Sequence, residues 1–273
     1  MKIIKLLLVL TILFNFSSCT ITEKLIVNEN GGGKFAYDID GAKMMSMMGS
    51  AFKGDEKPSK KSKKKKDKPS KDIDSTFTFK EMFADKQDSI AKLSPEEQAK
   101  IKKMERFTVH MVMNEEKGIM NYSMFTDFNS VAELQDMMSP VESMKTLSPT
   151  GQAGGMGMAP SALEDNSATQ FFYDGKMFKK IVSEKENKKE EEPTGEISEE
   201  SAALSEELKL KESLNMFFEQ SNYKVVYQFP KAVKKVSVEN ALYSEDRKTI
   251  TIEYPLKDYM DSPKKLNFDV EFE

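Results

Sequence analysis

The sequence predicts an α+β protein: a curved antiparallel sheet of about ten strands with about four packed helices and flexible charged insertions. Three observations predict this class. Short segments alternate apolar and polar residues, as half-buried strands do. Pairs of such segments are followed by apolar residues at helical spacing. The chain from Tyr223 to its C-terminus consists almost wholly of alternating segments.

Three pairs of alternating segments predict β-hairpins with one solvent-facing side. The first turns at Asn30–Gly33 and the second between Glu115 and Gly118. The third turns at Asp174–Gly175, a dipeptide typical of a type I′ turn. The alternating positions that define the first strand are Ile21, Glu23, Leu25 and Val27.

Four segments predict helices. One apolar face is expected within residues 44–52, and Ser130 with Glu133 suggests a capping box that opens a helix over Val131–Met144. We expect Pro140 to kink or end that helix. Leu204–Phe218 predicts another helix, and Ser94–Glu97 has the cap, proline and glutamate order of a helix start. The face within 44–52 consists of Met44, Met47, Met48, Ala51 and Phe52.

The C-terminal strands are predicted to follow one another closely. Tyr223–Phe229 ends at a proline, and Phe268–Phe272 alternates with acidic residues to the terminus. Between them we expect a hairpin that turns at residues 244–248. Its two sides carry Val236, Val238 and Leu242 opposite Ile250, Ile252 and Tyr254.

Three insertions, near residues 53–72, 146–166 and 184–200, interrupt a single domain expected over 19–273. They hold too few apolar residues to offset the entropy of ordering. The segment from Lys53 to Lys71 contains ten lysines and three acidic residues, a net charge of +7. The segment from Glu184 to Glu200 contains eight glutamates and three lysines, a net charge of −5. Opposite charges predict an attraction that salt weakens.

Residues 1–18 have the pattern of a secretory signal peptide, because two lysines precede an apolar stretch, Leu6–Phe14, that is shorter than the ~20 residues of a membrane span. The next residues, Phe16–Cys19, resemble the lipobox of bacterial lipoproteins of the Bacteroidetes type, with Phe16 where Leu is usual. The resemblance implies cleavage before Cys19 and acylation of that cysteine, palmitate included. It also implies anchoring at the cell outer membrane, facing the periplasm.

The low numbers of cysteine and histidine residues exclude several kinds of site. Cys19 is the only cysteine and His110 the only histidine, which excludes a disulfide framework, a Cys/His zinc site and a Cys–His nucleophile pair. An exported thiol without a partner is a liability unless acylation consumes it. We expect His110 on the polar face of its strand, without a catalytic or metal-binding role.

Two further patterns have competing interpretations. Met44–Met48 is rich in thioethers, as copper(I) sites are, but its helical spacing favours core packing. Lys60–Lys66 predicts either a solvated linker or contact with anionic lipid or envelope proteins, and without aromatic residues it does not indicate nucleic acid.

Asp38 and Asp40 share a strand face, and Asp40 is expected to cap a helix. No motif indicates a cofactor, a metal or a catalytic residue.

The Gly-rich hairpin Asn28–Phe35 and the strands Tyr223–Phe229 and Thr249–Tyr254 resemble mycobacterial LppM-type envelope lipoproteins. The resemblance implies a β-rich domain that holds a lipid-like molecule. We therefore expect a non-enzymatic, lipid-anchored binding module for an apolar ligand. The alternative is a structural or assembly scaffold. Hydrolysis or transfer by carboxylates is a third hypothesis, for which the sequence singles out no residue.

Overall fold

A computed structural model gives the fold, described over residues 20–42, 72–114, 116–135, 167–184, 216 and 219–273. These residues form an eight-stranded sheet and a four-stranded sheet with short helices, which confirms the α+β class. The two sheets replace the single sheet of about ten strands expected from sequence. Alternation shows that a strand is half-buried but does not reveal its partner, so one sheet could not be told from two.

The eight-stranded sheet has the order β10-β11-β8-β1-β2-β5-β4-β3. Its neighbours pair antiparallel, except that β1 and β8 are parallel. The strands in chain order are β1 (Thr20–Val27), β2 (Gly33–Asp40), β3 (Ile73–Thr78), β4 (Thr108–Asn114), β5 (Ile119–Phe128), β8 (Asn222–Gln228), β10 (Leu242–Tyr243) and β11 (Thr249–Pro255).

The four-stranded sheet has the order β6-β7-β12-β9 and is antiparallel throughout. Its strands are β6 (Ser167–Tyr173), β7 (Met177–Glu184), β9 (Val233–Val236) and β12 (Phe268–Phe272). The described α-helices are α1 (Phe79–Met82), α2 (Gln87–Ile90), α3 (Pro95–Met104) and α4 (Leu256–Asp261). Short 3-10 helices cover Ala84–Lys86, Val131–Leu134 and Pro263–Leu266.

The space between the sheets is filled by aromatic rings. The Phe178 ring from β7 lies 5.4 Å from that of Tyr227 and 5.2 Å from that of Phe229, measured between centroids. Phe171 from β6 lies 6.0 Å from Phe35 on β2. Tilted and edge-on rings at these separations attract one another beyond the effect of their burial, so they help to hold the two sheets together.

The three N-terminal hairpins are confirmed, but the turn at Asp174–Gly175 is not type I′. A backbone hydrogen bond joins Asp174 to Met177, so the two central residues of the turn are Gly175 and Lys176, and of these only Gly175 has a positive φ, of +79°. Positive φ at the first central residue alone is the pattern of a type II′ turn. The Asp174 carboxylate accepts hydrogen bonds from the backbone N–H groups of Lys176 and Met177, at 2.8 and 2.7 Å, and so closes the loop.

The predicted C-terminal hairpin is wrong in part. On the predicted first side of this hairpin, only Leu242 and its neighbour Tyr243 pair with β11. Val236 instead lies in β9 and pairs with Val270 of β12, in the other sheet. An alternating segment fits either sheet equally well, so the sequence did not determine which one β9 joins.

Helix predictions had mixed outcomes. The helix at Pro95 is confirmed, whereas Ser130 opens only the 3-10 helix Val131–Leu134 and the chain is extended at Gln135. Ser130 accepts from Ala132 N–H, but the Glu133 carboxylate contacts the Arg106 guanidinium at 2.6 Å instead of completing a capping box. The helices predicted over 44–52 and 204–218, the continuation past 135 with Pro140, and most of the three insertions lie outside the described residues.

Candidate functional site

A buried ion pair joins the two sheets. Glu23 lies in the middle of β1 and Lys180 in the middle of β7, and each side chain is only 1% exposed. Glu23 occupies the same strand face as Ile21 and Leu25, which are fully buried. Strand periodicity therefore directs a carboxylate into the interior, where an unpaired charge would be very costly.

Four side chains form a closed hydrogen-bonded cluster, which we call the Glu23 cluster: Glu23, Lys180, Tyr223 and Tyr227. The Lys180 ammonium donates to both carboxylate oxygens of Glu23, at 2.8 and 2.9 Å, and lies 3.3 Å from the Tyr223 hydroxyl. The Tyr223 hydroxyl donates to Oε2 of Glu23, and the Tyr227 hydroxyl donates to Oε1.

Strand register explains why the two tyrosines flank one carboxylate. Glu23 lies opposite Val225 in the parallel pair of β1 and β8. Tyr223 and Tyr227 stand two residues before and after Val225, so they share its face. The side chains thus reach the carboxylate from both sides.

The cluster leaves no hydrogen-bonding group of the ion pair unused. A carboxylate has about four acceptor sites, and Glu23 accepts two bonds at each oxygen. An ammonium has three donors, and Lys180 has three oxygen partners. A substrate would therefore have to displace an existing bond in order to reach either charge.

Burial also shifts the pKa values of the cluster. Desolvation lowers the pKa of Lys180, and the Glu23 carboxylate opposes that shift. Desolvation, followed by the nearby negative charge of Glu23, raises the pKa values of Tyr223 and Tyr227 well above their usual value. The same two causes raise the pKa of Tyr254, on the neighbouring strand β11, to about 12. All three phenols stay protonated at neutral pH, and those of Tyr223 and Tyr227 donate to Glu23.

Sequence reasoning missed both charged members of the cluster. The available signal was phase: Glu23 alternates with Ile21 and Leu25, and Lys180 alternates with Phe178 and Val182. An ionisable residue in phase with apolar neighbours on two different strands indicates a buried pair. The sequence did not show that β1 and β7 face each other, because they lie in different sheets.

The residues singled out from sequence do not converge on this cluster. His110 is half-exposed, and its Nε2 lies 3.0 Å from Oδ1 of Asp74. Asp38 accepts from the Ser123 hydroxyl at 2.5 Å, and Asp40 accepts from the backbone N–H of Ala42 at 3.1 Å. The helix that Asp40 was expected to cap lies outside the described residues. Within the described ranges, no group of three or more His, Cys, Asp or Glu side chains could hold a metal ion.

Cys19, Met44–Met48 and Lys60–Lys66 lie outside the described residues.

A second candidate feature is an apolar surface on strands β3, β4 and β5 of the eight-stranded sheet. Direct opposite pairs, Met113 with Met120 and Val109 with Met124, place these side chains on one face of β4 and β5. Met113 and Met120 are only half-buried, whereas Met124 is fully buried. We call this surface the methionine face. It consists of Phe77, Val109, Met111, Met113, Met120 and Met124.

None of the described helices is both long and apolar enough to cross a membrane. No protein-family model matches the chain, and no curated protein matches it. The chain is similar to the folded domain of LppM from Mycobacterium tuberculosis, solved by NMR, with 8% sequence identity and a TM-score of 0.34. The likeness covers 93% of this chain and 89% of the LppM domain. A TM-score of this size assigns neither fold nor function.

Proposed function

We propose that this chain is an envelope lipoprotein that acts without catalysis, as a binding module for an apolar, lipid-like molecule. Acyl groups on Cys19 would hold it at the outer membrane, facing the periplasm. The support for the anchor is the lipobox-like segment Phe16–Cys19 and the position of the only thiol in the chain. Two or three acyl chains, at about 0.8 kcal/mol per buried CH₂, hold a protein stably on a bilayer.

The saturated Glu23 cluster supports a non-catalytic role. Acid–base catalysis needs a group within hydrogen-bond reach of the substrate, in the protonation state that the reaction requires. Glu23 and Lys180 are buried ionisable groups, as catalytic groups often are. Each, however, is enclosed and makes all its hydrogen bonds within the cluster. Perturbed pKa values also occur in structural ion pairs. We assign the cluster to holding the two sheets together.

The methionine face is the observation that carries the ligand hypothesis. Its unbranched thioether side chains adapt to irregular apolar shapes and are only half-buried at Met111, Met113 and Met120. Apolar sites for small molecules are lined mainly by such side chains. The ring contacts and ion pair between the sheets reach β1, β2 and β8, whereas this face lies on β3, β4 and β5.

Native mass spectrometry of the full chain, extracted from membranes in mild detergent, tests this function. We expect a mass that begins at Cys19 with its acyl groups, and a co-purified apolar molecule released on activation. Met111→Gln with Met120→Gln should reduce the amount of that molecule, and Lys179→Gln, at a half-exposed position of the other sheet, should not. An acylated chain that carries no such molecule would contradict ligand binding and leave the anchor standing.

A scaffold role is the second candidate, supported by a different surface. Phe172 and Ile181 are 49% and 44% exposed on neighbouring strands of the four-stranded sheet. Large apolar residues exposed together often mark contacts between proteins. In envelope cross-linking, Phe172→Ser with Ile181→Ser should then remove the crosslinks of the wild-type chain. Unchanged crosslinks would contradict the scaffold role.

We also propose a partner for the lysine-rich segment Lys60–Lys66 of this envelope lipoprotein. Lys60–Lys66 is suited to anionic lipid headgroups or to acidic surfaces of envelope proteins, and its attraction should fall steeply with salt.

A further inference from the structure

One end of the eight-stranded sheet is defined by the first residue of β1, and we call it the Thr20 end. Thr20 pairs with Asn222, the first residue of β8, and Asn222 also pairs with Pro255, the last residue of β11. On the other side, Ile21 pairs with Ile39, so β2 finishes at this end with Asp40. Four strands, β1, β2, β8 and β11, therefore start or stop at one level.

The next strands continue this level. Asp40 pairs with Asn121 near the start of β5, and Asn114 at the end of β4 pairs with Ile119. The turn between β4 and β5 therefore lies at the Thr20 end. Strand β3 begins there as well, because Ile73 pairs with Met113.

The four-stranded sheet has the same polarity. The Ser167 hydroxyl, at the start of β6, lies 3.4 Å from the Tyr259 hydroxyl of α4, which directly follows β11. Glu184, at the end of β7, lies 3.9 Å from the Lys264 ammonium, in the 3-10 helix that follows α4. Both strands thus have these ends near the Thr20 end.

The opposite end carries short turns. Gly175, in the turn between β6 and β7, accepts a hydrogen bond from Lys231 at 2.8 Å. Lys231 follows β8, whose last residue pairs with the first residue of β11. The turn between β1 and β2 lies at this end too, because Val27 pairs with Gly33.

Several chain segments that lie between described ranges are therefore joined at the Thr20 end. The chain leaves the described range at residue 42, two residues after β2, and returns at residue 72, one residue before β3. The residues between these points include Lys53–Lys71, with its charge of +7. Residues 166 and 185, which adjoin β6 and β7, are joined at this end as well.

We propose that the Thr20 end of the two sheets faces the membrane surface and that the lipid in contact with it is anionic. The inference rests on the proposed acylation of Cys19. Cys19 directly precedes β1, so its Cα lies about 3.8 Å from that of Thr20. Ile21 is already fully buried in the central part of the sheet. No spacer separates the anchor from the folded part.

The missing spacer fixes the orientation. A long linker would let the domain turn freely, whereas an anchor on the first residue before a buried strand holds that strand end at the headgroups. Strand β1 rises at about 3.3 Å per residue, so its other end stands about 23 Å further from the attachment point.

Charge supports anionic lipid as the partner. Lysines near an anionic surface contribute about 1 kcal/mol each, and the segment from Lys53 to Lys71 belongs to a stretch whose flanking residues, 42 and 72, both lie at the Thr20 end. One acyl signal together with a basic segment is a common two-part membrane attachment.

Two matched variants test the orientation. Lys117→Cys lies in the turn between β4 and β5 at the Thr20 end, and Lys176→Cys lies in the turn between β6 and β7 at the opposite end. Both lysines are exposed. Each full-length variant, acylated in cells, is labelled with bimane and placed in vesicles of phosphatidylethanolamine and phosphatidylglycerol. A nitroxide attached to a fraction of the headgroups quenches nearby labels.

We expect several-fold stronger quenching at position 117 than at position 176. Equal quenching, or stronger quenching at position 176, in a chain that floats with the vesicles would overturn the orientation while the anchor stands. A Cys19→Ala chain that floats as well as the wild type would instead contradict the proposed anchor, and the orientation would fall with it.

Discussion

The Glu23 cluster and the methionine face lie in one row of the same sheet, yet they are built in opposite ways. Glu23 pairs with Tyr37, Tyr37 with Met124, and Met124 with Val109. At one end of the row a charge pair is fully enclosed and fully hydrogen-bonded. The other end of the row, at Met124 and Val109, is buried as well, but Met111, Met113 and Met120 beside it on the same face are left half-buried. The Glu23 cluster therefore specifies how the two sheets pack together, whereas the methionine face can adapt its shape.

Breaking the ion pair should produce the largest effect. Lys180→Met leaves the Glu23 carboxylate buried without its cation, and we expect a loss of about 3–5 kcal/mol in the free energy of unfolding. Lys179→Met is the matched control, because Lys179 is half-exposed and its ammonium lies 3.3 Å from Asp269. That change should cost less than about 1 kcal/mol. Urea unfolding monitored by circular dichroism measures both. Equal losses would show that the cluster does not hold the sheets together.

The half-buried part of the methionine face should tolerate truncation better than its fully buried part. Met124→Ala creates a cavity in a fully buried position, with an expected loss of about 2–5 kcal/mol. Met111→Ala, at a half-buried position, should cost about 1 kcal/mol or less, since its surroundings are already partly hydrated. The same unfolding measurement compares the two. A larger loss at Met111 would indicate that this face is part of the core.

Tyr227 belongs to the Glu23 cluster and Tyr254 lies outside it, so removing the two hydroxyls should change stability by different amounts. Tyr227→Phe removes a donor to the Glu23 carboxylate, and the expected loss is about 1.5–3 kcal/mol for a hydrogen bond to a charged group. Among the residues that the structure describes, the buried Tyr254 hydroxyl has no hydrogen-bond partner, so Tyr254→Phe should leave stability unchanged or slightly higher. The difference in thermal unfolding midpoint between the two variants measures this contrast. A loss for Tyr254→Phe as large as that for Tyr227→Phe would contradict it.

High pH should weaken the fold through the same phenols. Their pKa values are raised in the folded state, so unfolding releases protons and stability falls as the pH rises above the usual tyrosine value of 10.0. Each phenol contributes about 1.4 kcal/mol per pH unit until its own folded pKa is reached. The lowered pKa of Lys180 acts in the opposite direction only below 10.5.

Urea unfolding at about pH 10.5 and 12 measures this slope, and Tyr227→Phe should reduce it by one group. A slope that is the same in the variant would show that Tyr227 ionises as freely in the folded chain as in the unfolded one.

How much the sequence predicts depends on the range of the interaction. The hairpin turns at Asn30–Gly33 and Asp174–Gly175 are local, and both were located correctly. Gly33 has to be glycine because a Cβ there would lie 1.8 Å from the Ile26 carbonyl oxygen. The turn type at Gly175 was predicted wrongly because it depends on which residue of the loop occupies the first central position.

The partners of distant segments could not be predicted. Strand β8 pairs in parallel with β1 about two hundred residues away, and β9 joins the four-stranded sheet, yet both carry the same alternation as any half-buried strand. The candidate site depends on these partners: Glu23 and Lys180 were each visible as charged residues in phase with apolar ones. Their contact was not visible, because it requires the two sheets to face each other.

The claim on which the account depends is that Cys19 carries the membrane anchor. Metabolic labelling with a radioactive fatty acid, followed by purification of the full chain, tests it most directly. We predict that the label enters the wild-type chain and is absent from Cys19→Ala. A wild-type chain without label, or equal label in both chains, would contradict the account.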